Sequence, residues 1–122
     1  MAATMKSAVL STANTNRDGT GTPGTQIIDV VVGPANGCII EEVTMAATGT
    51  TTAGMLRVFI YDGTNTRLER EVTVEAITPS GTTRTFQKSF RPTGLKLTTG
   101  QKLQMSTNNA ETFHVVATVI EL

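Results

Sequence analysis

The feature that most limits this chain's fold is its punctuation. Short runs of β-branched and aromatic residues are cut, at intervals of about 8–12 residues, by clusters of Gly, Pro, Asn and Asp. Gln26-Ile27-Ile28-Asp29-Val30-Val31-Val32 ends at Gly33-Pro34-Ala35-Asn36-Gly37, and Cys38 to Ala47 ends at a Thr/Gly loop, residues 48–54. The strongest strand is Met55-Leu56-Arg57-Val58-Phe59-Ile60-Tyr61, with Leu56, Val58 and Ile60 on one face and Arg57, Phe59 and Tyr61 on the other. Asp62-Gly63-Thr64-Asn65 then turns the chain into Thr66–Val74, which predicts a hairpin. Further strands are expected at 83–90, 95–97, 102–106 and 113–120, the last with Phe113, Val115, Ala117 and Val119 on one face. No segment sustains a helical period, although one helical turn at Glu41–Glu42 is the alternative to an unbroken strand there.

This pattern predicts an all-β protein. The architecture is an antiparallel β-sandwich or jelly-roll-like barrel of about eight strands. The domain is assigned to residues 26–122, preceded by an extended N-terminal arm at 1–25. Residues 14–25 of the arm have almost no apolar side chain, so burial offers little to offset their ordering entropy. The arm is expected either to be mobile or to be ordered by a neighbouring subunit, with a short edge strand at 7–12.

Composition narrows the function. Four Phe, one Tyr and no Trp leave the core to aliphatic side chains and Met, which bury less area each. A core of that kind is expected to lean on contacts between copies. Ten basic and ten acidic residues balance to zero, with no basic stripe for a phosphate backbone, so no nucleic-acid partner is expected. Met1–Lys6 has no long apolar core of a signal peptide, and the apolar runs are far too short to span a membrane.

The residues that carry chemistry elsewhere are isolated here. His114 is the one histidine and falls opposite Phe113, which reads as a surface or interface side chain. Cys38, the one cysteine, lies in an apolar run and reads as a small buried hydrophobe. Asn16-Arg17-Asp18-Gly19 and Asp62-Gly63-Thr64-Asn65 echo calcium loops but lack their ligand count, and ordinary turns are the expectation. Gly19 to Gly24 echoes a dinucleotide glycine pattern without the strand-then-helix frame. Glu41 and Glu42 alternate across a strand, whereas Glu69 and Glu71 share a face; both pairs read as solvated. No catalytic residue, metal ligand or cofactor is assigned, and the chain is not read as an enzyme.

Residues 14–21, Ala47-Thr48-Gly49-Thr50-Thr51-Thr52-Ala53-Gly54 with the following strand to Gly63, and Ser106 to Phe113 carry a likeness. In these stretches the chain resembles small β-sandwich structural proteins of tailed bacteriophages. The resemblance implies a virion component, assembled in the host cytoplasm, with a capsid decoration or cement role as the leading use. Its partners would be the major capsid protein or other virion proteins, and the chain would form a homo-oligomer, with a trimer favoured. A neck, tail or head-fibre component, or a host-receptor or glycan-binding module, is the alternative.

Overall fold

The computed structural model describes residues 2–122. Nine strands run in chain order: β1 Ala2–Leu10, β2 Ile28–Val32, β3 Cys38–Ala47, β4 Gly54–Tyr61, β5 Thr66–Val74, β6 Gln87–Phe90, β7 Lys96–Leu97, β8 Lys102–Thr107 and β9 Phe113–Glu121. No helix occurs among the described residues. One sheet has the order β1-β9-β3-β6, with β7 also paired to β3; the other has the order β2-β8-β4-β5. Every ladder between these strands is antiparallel. The chain passes from sheet to sheet after β1, β2 and β3, and the β4–β5 hairpin is one of its few steps within a sheet. This is the strand order of a jelly roll, two Greek keys closed face to face.

Alternation fills the space between the sheets. Phe113, Val115, Ala117 and Val119 of β9 share one cluster with Leu56 and Val58 of β4 and Leu103 and Met105 of β8. On β3 the inward set runs Cys38, Ile40, then Val43, Met45 and Ala47. The register against β9 shifts between Ile40 and Glu42, so a β-bulge accounts for the odd step. The alternative of a helical turn at Glu41–Glu42 thus resolves as an extra residue in a strand. Phe86 and Phe113 meet edge to face at 5.8 Å, a favourable quadrupole geometry.

Two boundaries differ from expectation. The edge strand expected at 7–12 runs instead from Ala2 to Leu10 and pairs with β9 over its whole length, Ala2 opposite Glu121 and Leu10 opposite Phe113. β9 is nine residues long and supplies a full edge for it, while Leu10 and Ala8 reach the core. The strand expected at 83–90 begins only at Gln87, because Ser80 draws residues 80–83 into a turn through the N–H groups of Thr82 and Thr83.

The hairpin turn works through Asp62. Its Oδ1 accepts the backbone N–H groups of Thr64 at 2.9 Å and Asn65 at 2.8 Å, and Gly63 takes the left-handed φ of +102° that such a turn needs. A register shift opposite Val58 and Phe59 takes Glu69 out of the ladder. Glu69 binds its neighbour Arg70 at 2.6 Å, and Glu71 turns to a different partner.

A strapped face and an open face

The outer face of β4 carries Arg57 and Phe59, both buried. What covers them is the polar segment between β1 and β2. Asn14 donates its backbone N–H to Thr107 on β8 at 2.8 Å, and Arg17 reaches Glu71 on β5 at 2.6 Å. Gly19 lies so close to β5 that a Cβ there would come within 2.7 Å of the Thr66 carbonyl oxygen. The chain then returns to Ile27, itself buried, and enters β2. Residues 13–27 therefore form a strap across the sheet.

The strap is held by hydrogen bonds rather than apolar burial, which its sequence required. Arg57 is the centre. Its Nε donates to Glu71 Oε2 at 2.9 Å, and its Nη1 donates to the Asn14 carbonyl at 3.2 Å and to Asn108 Oδ1 at 3.1 Å. Asn14 donates its side-chain amide to the carbonyls of Thr20 and Gln26, closing the loop on itself. Asp18 accepts both the backbone N–H and the hydroxyl of Thr20. Those bonds hold the Asp18 carboxyl below its ordinary pKa. Glu71 is likewise lowered, first by the hydrogen bond from Arg17 and then by that from Arg57. Asp18, like Asp62, thus accepts backbone N–H groups of its own turn, and among the described residues no three of His, Cys, Asp and Glu gather as a metal cluster.

The other sheet has an open outer face. Met5, Ser7 and Val9 of β1 stand beside Thr118, Val116 and His114 of β9, and Val116 and His114 in turn face Thr44 and Ala46 of β3. His114 is exposed on this face, opposite the inward Phe113. On β3, across Thr118 from Met5, Glu42 pairs with Arg91 at 3.5 Å. Ser7, Ala8, Val9, His114, Val115 and Val116 line a shallow groove of about 360 Å³. Cys38 lies within the sandwich, and burial first, then the nearby Glu121 carboxylate, pushes its thiol pKa up. A thiol so held is a packing group rather than a nucleophile.

The sequence anticipated His114 as a surface side chain and Cys38 as a core one. It did not single out Arg57 or Asn14, and it read Glu71 as a solvated neighbour of Glu69 on one face, whereas the register shift separates the two and Glu71 holds Arg17 and Arg57. One signal was present: in 55–61 both faces carry large side chains, the mark of a strand covered on both sides.

The fold and its surfaces define a jelly-roll sandwich whose one outer face is covered by its own chain and whose other is free. No protein-family model and no curated protein matches the sequence. Among solved structures, the chain is similar to one in the cyanophage Pam1 capsid asymmetric unit, at 19% identity and a TM-score of 0.52, over 98% of this chain and 85% of that one. A pentameric capsid protein isolated from metagenomic phage sequences aligns at 16% identity and a TM-score of 0.40, over 95% of this chain. The chain spans 61% of the length of that capsid protein. The first likeness extends over almost the whole chain and establishes the shared fold.

Proposed function

We propose that this protein is a non-enzymatic structural component of a bacteriophage virion, a decoration or cement protein on the head. The observation that carries the reading is the strand order, β1-β9-β3-β6 against β2-β8-β4-β5. That jelly-roll arrangement recurs in viral capsid domains, and the similar cyanophage chain belongs to a capsid asymmetric unit. The stretches that resemble small tailed-phage structural proteins support the same reading.

The mechanism is added contact. The protein would bind as a homo-oligomer, a trimer by preference, across the junctions between major capsid subunits after assembly in the host cytoplasm. A ligand that binds only the closed lattice stabilises it by RT ln(1 + [L]/Kd), about 2.7 kcal/mol per site when free protein exceeds Kd a hundredfold. Apart from the Glu42–Arg91 pair and His114, the open outer face is built of uncharged side chains, which suits such packing because few ions have to be stripped of water on binding. Particles lacking the protein should open at a lower temperature than complete ones, and adding purified protein back should restore resistance. Particle imaging that finds the protein in the neck, tail or fibre, with head stability unchanged in its absence, would overturn the head assignment. Binding of the isolated protein to host envelopes would favour a receptor module instead.

A further inference from the structure

We infer that Asn36 is a site of self-modification guarded by its own turn: once the turn opens, the Gly37 nitrogen attacks the Asn36 side chain and converts it to aspartate and isoaspartate. Of the chain's asparagines, only Asn36 is followed by glycine. Ring closure onto an asparagine side chain needs the next residue's nitrogen to come close, and glycine has no Cβ to obstruct it. The fold demands glycine there. Gly37 has a left-handed φ of +83°, and a Cβ on it would come within 3.1 Å of the Leu97 carbonyl oxygen. Asn36 itself is exposed in the turn. The side-chain amides of Asn14, Asn16, Asn108 and Asn109 are instead committed to hydrogen bonds, and Asn65 precedes the β-branched Thr66. The turn chemistry that links β2 to β3 has thus placed the chain's most labile pair in water.

The step balances with water alone. The Gly37 nitrogen gives its proton to solvent base and bonds to Asn36 Cγ. The Cγ–Nδ2 bond breaks, ammonia leaves, and a cyclic imide remains. Water then opens the ring. Cleavage between the nitrogen and Cγ leaves aspartate. Cleavage between the nitrogen and the Asn36 backbone carbonyl carbon leaves isoaspartate, with the chain running through the side chain. Nothing is oxidised or reduced. In the folded chain the attacking group is tied down. The Gly37 N–H donates to the Pro34 carbonyl at 2.9 Å, and the Gly37 carbonyl accepts the Leu122 N–H at 3.0 Å. The Thr99 hydroxyl holds the same turn from outside, at 3.1 Å from the Pro34 carbonyl oxygen and 3.0 Å from that of Ala35. The nitrogen keeps its proton and the peptide keeps its orientation until those bonds open. The consequences reach the sandwich. Isoaspartate adds a methylene to the backbone just before β3, where Cys38 stands opposite both Glu121 and Leu97. Either product adds a negative charge to a chain whose formal charges balance.

Incubating the purified full chain in alkaline buffer, native and in guanidinium chloride, tests this by intact mass and by peptide fragmentation that separates aspartate from isoaspartate. The unfolded chain should take the mass gain of an amide-to-acid exchange at residue 36 first, as both products, and faster as pH rises. The native chain should convert at least about tenfold more slowly, since several turn bonds must open first. Thr99→Val keeps the shape of an exposed side chain and removes its hydroxyl. It should raise the native rate by roughly two- to tenfold, the factor for one lost hydrogen bond, and leave the unfolded rate unchanged. Asn36→Ser should abolish the early mass gain in the unfolded chain. First conversion at another asparagine, or an early gain that persists in Asn36→Ser, overturns the site. A native rate equal to the unfolded one, or an unmoved native rate in Thr99→Val, overturns the guard.

Discussion

Replacing Arg57 with Ala should release the strap without unfolding the sandwich. The side chain of Arg57 is 4% exposed, whereas that of Glu71 is 27% exposed. Loss of Arg57 leaves Glu71 free to rehydrate and to keep its bond to Arg17, so no buried carboxylate is stranded. The Asn14 carbonyl, bonded from within a buried environment, does lose its partner. Hydrogen bonds to charged groups contribute about 1.5–3 kcal/mol, and an orphaned buried acceptor costs about 1–3 kcal/mol. With the solvent-facing bond to Glu71 left out, the lower ends of these ranges add to about 3 kcal/mol. That lies at the lower edge of the ~3–5 kcal/mol seen when a fully buried pair is broken. Urea unfolding at fixed protein concentration should show the fall with little change in slope. For a domain of this size the midpoint temperature should drop by about 10 °C. Amide exchange should quicken across residues 13–27 while β3 and β9 stay protected. Arg57→Lys, which keeps the charge but loses the fork, should fall between the two. A loss below about 1 kcal/mol, or unchanged exchange in the strap, would refute the account of Arg57 as its anchor.

Two further outcomes follow from the carboxylates and the thiol. Glu71, Asp18 and Asp62 all have folded-state pKa values below their ordinary ones, Glu71 through Arg17 and Arg57 and Asp62 through the N–H groups of Asn65 and Thr64. Their contribution is therefore present above the ordinary carboxylate range and lost as pH falls through the lowered folded values, so melting temperature should decline below about pH 4.5. Glu71→Gln should melt lower near neutrality and decline less steeply in acid; profiles that run parallel to wild type would count against the Arg17–Glu71–Arg57 link. Cys38, buried and with a raised pKa, should resist a thiol reagent in the native state and react at once in denaturant. Rapid native labelling would mean that β3 opens locally or that the thiol is reachable.

Much of the sandwich was legible because its strands are bounded by residues that act locally. Asp62 and Gly63 set the hairpin by their own hydrogen bonds and φ, whatever the rest of the chain does. Phe113 to Val119 alternates cleanly, and its inward set forms the core as read. The bulges were not legible. They follow from register between strands distant in sequence, and Glu69 leaves the ladder for that reason rather than through any residue beside it. The strap was hidden more deeply. Its own residues are polar, and its anchor is an arginine on a strand where alternation alone suggests solvent. Only the partner distances, from Arg57 to Asn14 and Asn108, reveal that the segment is ordered from within its own chain.

The two outer faces then differ for a reason of side-chain size. On the β2-β8-β4-β5 sheet the outward positions include Arg57 and Phe59, which left bare would expose a large ring beside a guanidinium in need of partners. A polar strap meets both demands, since its backbone carbonyls accept from the arginine while its bulk excludes water from the ring. On the β1-β9-β3-β6 sheet the outward positions are mostly Ala, Ser, Thr and Val, small enough to stay in water without a cover. Met5 departs from that pattern, being long, apolar and exposed beside a groove floored by small residues. The chain has covered the face that needed covering with its own segment, so the face left open, with Met5, Val9 and Val116 exposed on it, is the face available to another molecule.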